Sequence, residues 1–130
     1  MHVVKKSDPT FVKKPYDLSL LEGLNDPVCL QEIVGLFLIH TPLMIDELLA
    51  DAGKEDWKKV YECAHKLKGS TGLLLAAELM ELLKQIEAQA ISHKNTNIMN
   101  GLLQSLVSAF SKLEISLKED LQRIKDSGIG

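Results

Sequence analysis

Aromatic side chains are scarce in this sequence: one Trp, two Tyr and three Phe among 130 residues. Sheets draw on aromatic and β-branched residues, so this shortage, set beside abundant Leu, Ile, Ala, Glu and Lys, favours helices. Cysteine is nearly absent too. Cys29 and Cys63 both fall inside apolar helical patterns, which argues against a disulfide framework, and no His or Cys pair has zinc-ligand spacing. Both thiols read as small buried hydrophobes in a reducing compartment. Positive charge is not in excess: fifteen Lys and Arg stand against eighteen Asp and Glu, for a net −3. That balance lacks the cationic footprint nucleic acid binding requires. The longest apolar runs, 33–39 and 73–77, stop short of the roughly 20 residues that span a bilayer, and the first residues contain no apolar stretch of signal-peptide length. The expectation is a cytoplasmic protein with no membrane insertion and no nucleic acid partner.

What is present is helical periodicity. Residues 1–15, with Lys pairs, Pro9 and Pro15, read as a flexible arm, and the folded part, 16–125, begins with a short helical lead-in ended by Gly23. Asp26 followed by Pro27 is an N-cap with proline at the first helical position. From Val28 to about Asp51, Leu30, Ile33, Val34, Phe37, Met44, Ile45, Leu48 and Leu49 return at three- and four-residue steps. Pro42 interrupts them and predicts a kink or local break near 39–41. Gly53 closes the segment. A second helix is predicted from about Lys54 to Gly72, with Trp57, Val60, Ala64, Leu67, Thr71 and Leu74 as its buried stripe. A third follows through Leu75, Leu79, Leu82, Leu83 and Ile86 to Ala90, joined to the second near 72–76. After a polar stretch at 92–97, Ile98, Leu102, Leu106, Phe110, Leu113, Leu117, Leu121 and Ile124 mark a closing helix, and 126–130 read as a frayed tail. Four long amphipathic segments with short connections predict an all-α fold, an antiparallel four-helix bundle with a short N-terminal lead-in helix.

Of four histidines, His2 lies in the arm, His40 precedes the proline and His93 sits in a loop; only His65 has suggestive neighbours. At about 100° per residue it points roughly 130° from the centre of its helix's core stripe, towards water. Three, four and seven residues on, the same side carries Lys68, Gly69 and Gly72, so a cation and bare backbone surround the imidazole. Glycine inside a helix costs about 1 kcal/mol against alanine, and close approach by something large is the simplest reason to accept that cost here. A neutral imidazole is a nucleophile able to accept a phosphoryl group on a ring nitrogen and to return it. Lys68 can donate to phosphoryl oxygens, while the hydroxyls of Ser70 and Thr71 either add a hydrogen bond or satisfy the helix backbone. Gly72 reads equally as a helix C-terminal residue.

The stretch Ala64-His65-Lys66-Leu67-Lys68-Gly69-Ser70-Thr71 resembles the His-x-Leu-Lys-Gly-Ser signature of histidine-containing phosphotransfer (HPt) domains. Similarity extends from about Tyr16 to Ile124, through Tyr16-Asp17, Phe37, Pro42, Asp56 and Glu87. The resemblance implies a four-helix bundle presenting His65 as the phosphorylated residue, with Lys68 as phosphoryl neighbour and Gly69 as the gap through which a receiver domain's aspartate approaches. It implies a monomeric carrier in two-component signal transduction, without kinase or hydrolase activity of its own. The implied partners are receiver (response-regulator) domains and a hybrid sensor histidine kinase. It implies no cofactor, because the receiver contributes Mg²⁺. One position departs: family members usually carry glycine ten residues after the histidine, where this chain has Leu75 followed by Ala76.

Plainer readings stand beside these. Lys66 reads as surface, and Glu78, Glu81 and Glu87 as a solvated helix face. The competing function is a non-catalytic bundle that binds a receiver or kinase domain without phosphotransfer. Autonomous kinase activity is set aside, since 130 residues hold no glycine-rich nucleotide loop or second α/β domain.

Overall fold

The structure, a computed structural model, describes residues 14–92 and 96–129. His2, His93 and most of the N-terminal arm lie outside the described residues. The described residues form five α-helices: α1 (Ser19–Glu22), α2 (Pro27–Gly53), α3 (Trp57–Leu73), α4 (Ala77–Ser92) and α5 (Thr96–Ile124). A π-helical turn at Lys125–Ile129 continues α5, and the described residues contain no strand. Helix α3 packs against α2 and α4, and α5 packs against α4 and back against α2. Short connections force neighbouring helices antiparallel, so α2 to α5 form the up-and-down bundle expected.

The local signals act as anticipated at the start of α2. Asp26 is extended and accepts a hydrogen bond from the Cys29 N–H at 3.0 Å, and Pro27 occupies the first turn, where no N–H partner is lost. Helix α2 then runs through Pro42 without a local break. The proline removes one backbone hydrogen bond, but Phe37, Thr41, Ile45 and Leu48 stay buried on both sides of it, and that core face holds the helix in register. The Phe37 and Phe110 rings, 6.2 Å apart and tilted by 52°, tie α2 to α5. Leu49, Leu75 and Ile98, assigned to apolar stripes by periodicity, are exposed. Over its most apolar 18 residues α2 has a mean hydropathy of 1.7 with 28% buried, so by length and composition it is apolar enough to cross a membrane, although no uninterrupted apolar run is.

The two ends that flank α3 share one backbone device. At the end of α3 the Leu75 N–H bonds to the Gly72 carbonyl at 3.1 Å and the Ala76 N–H to that of Thr71 at 3.1 Å, with Leu75 at φ 49°. This is a Schellman motif, whose left-handed position favours glycine because it has no Cβ. The departure at Leu75 therefore has a physical meaning: a leucine occupies a glycine conformation. Glu55 does the same after α2, at φ 55°, with bonds from its own N–H to Ala52 and from the Asp56 N–H to Asp51. The lead-in is fastened across the α3–α4 turn by the Asp17 N–H to the Leu74 carbonyl at 2.8 Å. That bond sets Tyr16 into the core.

Candidate functional site

Helix α3 starts at Asp56, whose carboxylate accepts from the Lys59 N–H at 3.3 Å. It buries Val60, Cys63, Ala64, Leu67 and Thr71. That face fixes the helix rotation and leaves the His65 side chain 63% exposed. The ring is exposed but not loose. Its Nδ1 lies 2.8 Å from Glu87 Oε2, and Lys68 Nζ donates to Glu87 Oε1 at 2.6 Å. Glu87 reaches both from α4 with its own side chain only 9% exposed.

Burial alone would push the Glu87 carboxyl up. Hydrogen bonds from Lys68 and His65, and their charges, outweigh burial and hold it below the usual carboxylate range. An ionised carboxylate can only accept, so the shared proton belongs to His65 Nδ1. In the neutral ring the lone pair is then on Nε2, the nitrogen turned away from Glu87.

Around the ring the helix is asymmetric. Tyr61, four residues earlier, lies nearly parallel to the imidazole, with ring centroids 6.0 Å apart and planes 13° from each other. Four residues later, a Cβ built on Gly69 would meet nothing within 4 Å. A groove of about 570 Å³ opens between α3 and α4 beside His65, lined by Lys68, Gly69, Met80 and Lys84 among others.

The remaining site candidates divide. Gly72 lies inside α3, and a Cβ there would touch only the Met80 methyl at 3.8 Å, an ordinary contact. Ser70 Oγ donates to the Leu67 carbonyl and Thr71 Oγ1 to that of Lys68, each at 3.1 Å, and Thr71 is buried. Both hydroxyls satisfy the helix backbone and neither joins His65. Lys66 is exposed. Cys63 is buried, donates to the Met44 carbonyl at 3.3 Å, and has its thiol pushed up to about 11, chiefly by burial and then by Glu47 and Asp51. A thiol so protonated is a poor nucleophile. Among the described residues no group of three or more His, Cys, Asp or Glu is placed to hold a metal ion.

The reading of Glu87 as part of a solvated acidic face is corrected. Along α4 it lies about 70° from the core centre defined by Leu79, Leu83, Ile86 and Ala90, well away from Glu78 and Glu81. That boundary register was the available signal, and it was also the signal for Tyr61 on α3, which sequence reasoning missed.

A second polar cluster sits at the end of the bundle where α5 meets the lead-in. Asp120 is buried and accepts from Lys14 Nζ at 2.8 and 2.9 Å, from the Tyr16 hydroxyl and from Arg123. Tyr16 Oη also lies 3.1 Å from Ser116 Oγ. Burial raises the Tyr16 phenol above its ordinary value, against the lowering influence of Ser116 and Arg123. A groove of about 1020 Å³ beside the cluster, between the lead-in, the start of α2 and the end of α5, is larger than the one at His65 but contains neither histidine nor cysteine.

No curated protein and no solved structure matches the chain. The family model of the Hpt domain matches residues 32–127, which takes in α3 with His65 and α4 with Glu87. By that match the chain belongs to the histidine phosphotransfer (Hpt) domain family, whose members are generally cytoplasmic, non-catalytic phosphoryl carriers that serve phosphorelays and interact with receiver and kinase domains.

Proposed function

We propose that His65 Nε2 is the atom that carries the phosphoryl group, taking it from an aspartyl phosphate on one receiver domain and returning it to an aspartate on another. The observation that carries this reading is the Glu87 hydrogen bond to Nδ1, which leaves Nε2 as the exposed lone pair. In the forward step the Nε2 lone pair attacks phosphorus and a P–N bond forms. The P–O bond to the receiver's acyl oxygen breaks, and its electron pair returns to the aspartate carboxylate. The Nδ1 proton stays in place, and the positive charge gained by the ring faces the Glu87 carboxylate. Transfer onward is the same path reversed.

Lys68 acts as phosphoryl neighbour. One N–H is engaged by Glu87, and the ammonium has others to offer phosphoryl oxygens. Gly69 supplies the opening for the receiver's carboxylate. Magnesium, in this reading, belongs to the receiver, and this chain binds none.

Docking falls on the α2–α3 side of the bundle. The Cys63–Met44 hydrogen bond brings these antiparallel helices level at that point, so residues 36–43 run alongside about 64–71, with Leu73 just beyond. Leu36, Ile39, Leu43 and Leu73 are exposed there, 45% at the least. Such a patch gives a transient interface its dry centre. The partners are receiver domains and a hybrid sensor histidine kinase, and the carrier works as a cytoplasmic monomer.

Incubation with a receiver domain labelled on its aspartyl phosphate tests the proposal. Acid-labile, base-stable label is expected on the wild-type chain and none on His65→Gln. Binding of several receivers without transfer to the wild type would favour the non-catalytic binding module instead.

A further inference from the structure

We infer that Tyr61 is a positioning residue for the phosphoryl transfer: it sets the plane of the His65 ring, so that Nε2 meets the receiver from the Gly69 side. The inference rests on the proposed role of His65 and adds the direction from which the partner comes.

A single hydrogen bond at Nδ1 fixes where that atom lies but lets the ring pivot about the N–H···O line. Pivoting matters because the Nε2 lone pair lies in the ring plane, and an in-line displacement at phosphorus needs that plane directed at the incoming group. Tyr61 supplies the second constraint. Its ring lies within 13° of parallel to the imidazole at a centroid distance of 6.0 Å, inside the range of offset stacking. It is itself anchored, half-buried and packed against the core, so it offers a fixed wall. Residues four apart share a helix face, which puts Tyr61 on the N-terminal side of His65 and Gly69 on the C-terminal side. One side is closed by a ring, and on the other nothing lies within 4 Å of where a Cβ would stand. Glu87 holds one ring atom, Tyr61 holds the plane, and the remaining way in passes over Gly69.

An aromatic at a core boundary also has an ordinary packing role, so the test must separate a flat face from apolar bulk. Tyr61→Phe keeps the face, whereas Tyr61→Leu keeps the bulk; Tyr61→Met replaces Leu if that variant does not fold by circular dichroism. Single-turnover transfer from a phosphorylated receiver is measured over a range of receiver concentrations. The His65 ring protons are followed by NMR.

For Tyr61→Phe the maximal rate is expected within about twofold of wild type, with the upfield ring-current shift of the His65 protons retained. For Tyr61→Leu the shift is lost and the maximal rate falls about tenfold. The receiver concentration at half-maximum stays unchanged, because docking is elsewhere. A wild-type maximal rate in Tyr61→Leu would overturn the inference, and so would an equal loss in Tyr61→Phe with the shift intact. Absence of transfer in the wild type itself would instead overturn the role of His65, so the two failures are told apart.

Discussion

Two buried carboxylates, Glu87 on α4 and Asp120 on α5, are built in the same way and used differently. Each comes from the core side of its helix and each gathers a lysine and a ring-bearing side chain. Around Asp120 the ring is Tyr16, 6% exposed, whose one polar atom is consumed between Asp120 and Ser116. Around Glu87 the ring is His65, 63% exposed, which has a second nitrogen left over. The first cluster staples the lead-in to the bundle; the second holds an imidazole by one nitrogen and leaves the other outward, where we propose the phosphoryl group is taken up. On the proposed reading, the two buried acids differ in what their partners still have to offer.

Removing each carboxylate in turn separates the two clusters most strongly. Asp120→Ala strands the buried Tyr16 hydroxyl with Ser116 alone, and is expected to cost about 2–3 kcal/mol in urea unfolding while leaving transfer per folded molecule unchanged. Glu87→Ala frees an exposed imidazole and a partly exposed lysine that water can solvate. The expected stability loss is about 1 kcal/mol, with transfer slowed tenfold or more because ring orientation and tautomer are no longer set. Equal effects of the two variants on transfer would erase the distinction.

Acidification sharpens the same point with a smaller effect. Glu87 has a folded-state carboxyl below its unfolded value, so its contribution to stability is complete above the unfolded glutamate value of roughly 4.3 and is lost as pH falls through the lower folded value. Urea midpoints of wild type and Glu87→Gln should therefore differ near neutrality and converge at the acid end. A difference that grew on acidification would reverse the sign and contradict the ion pairing.

The smallest expected effect concerns the backbone. Glu55→Gly relieves an exposed side chain of a left-handed conformation and should raise stability by about 0.5–1 kcal/mol without touching transfer. Leu75→Gly should follow it, less the contact area of a half-exposed leucine. A loss of stability in Glu55→Gly would show that the conformation carries no strain.

Much of this was legible in the sequence because it depends on period alone. The apolar steps of α2, α3 and α5 and the outward rotation of His65 follow from which residues share a face, and the Asp26-Pro27 start follows from local capping. What depended on contact between helices was not. Pro42 could not be seen to lie within an unbroken helix, since the buried residues on either side of it are held by α3 and α5. Glu87 looked like one more surface acid until α4 was rotated against α3, and Tyr61, at the edge of the core, drew no notice because the ring it faces lies one turn away on its own helix. The hydroxyls of Ser70 and Thr71 were ambiguous for a similar reason: the helix backbone competes for them at short range and wins.

The proposed carrier of the phosphate is the outward nitrogen of His65. Phosphorus and nitrogen NMR on the labelled chain after transfer from a receiver tests it most directly. The expected result is a phosphorus–nitrogen bond at His65 Nε2, with Nδ1 still protonated. Phosphate on Nδ1, or on any residue other than His65, would contradict it.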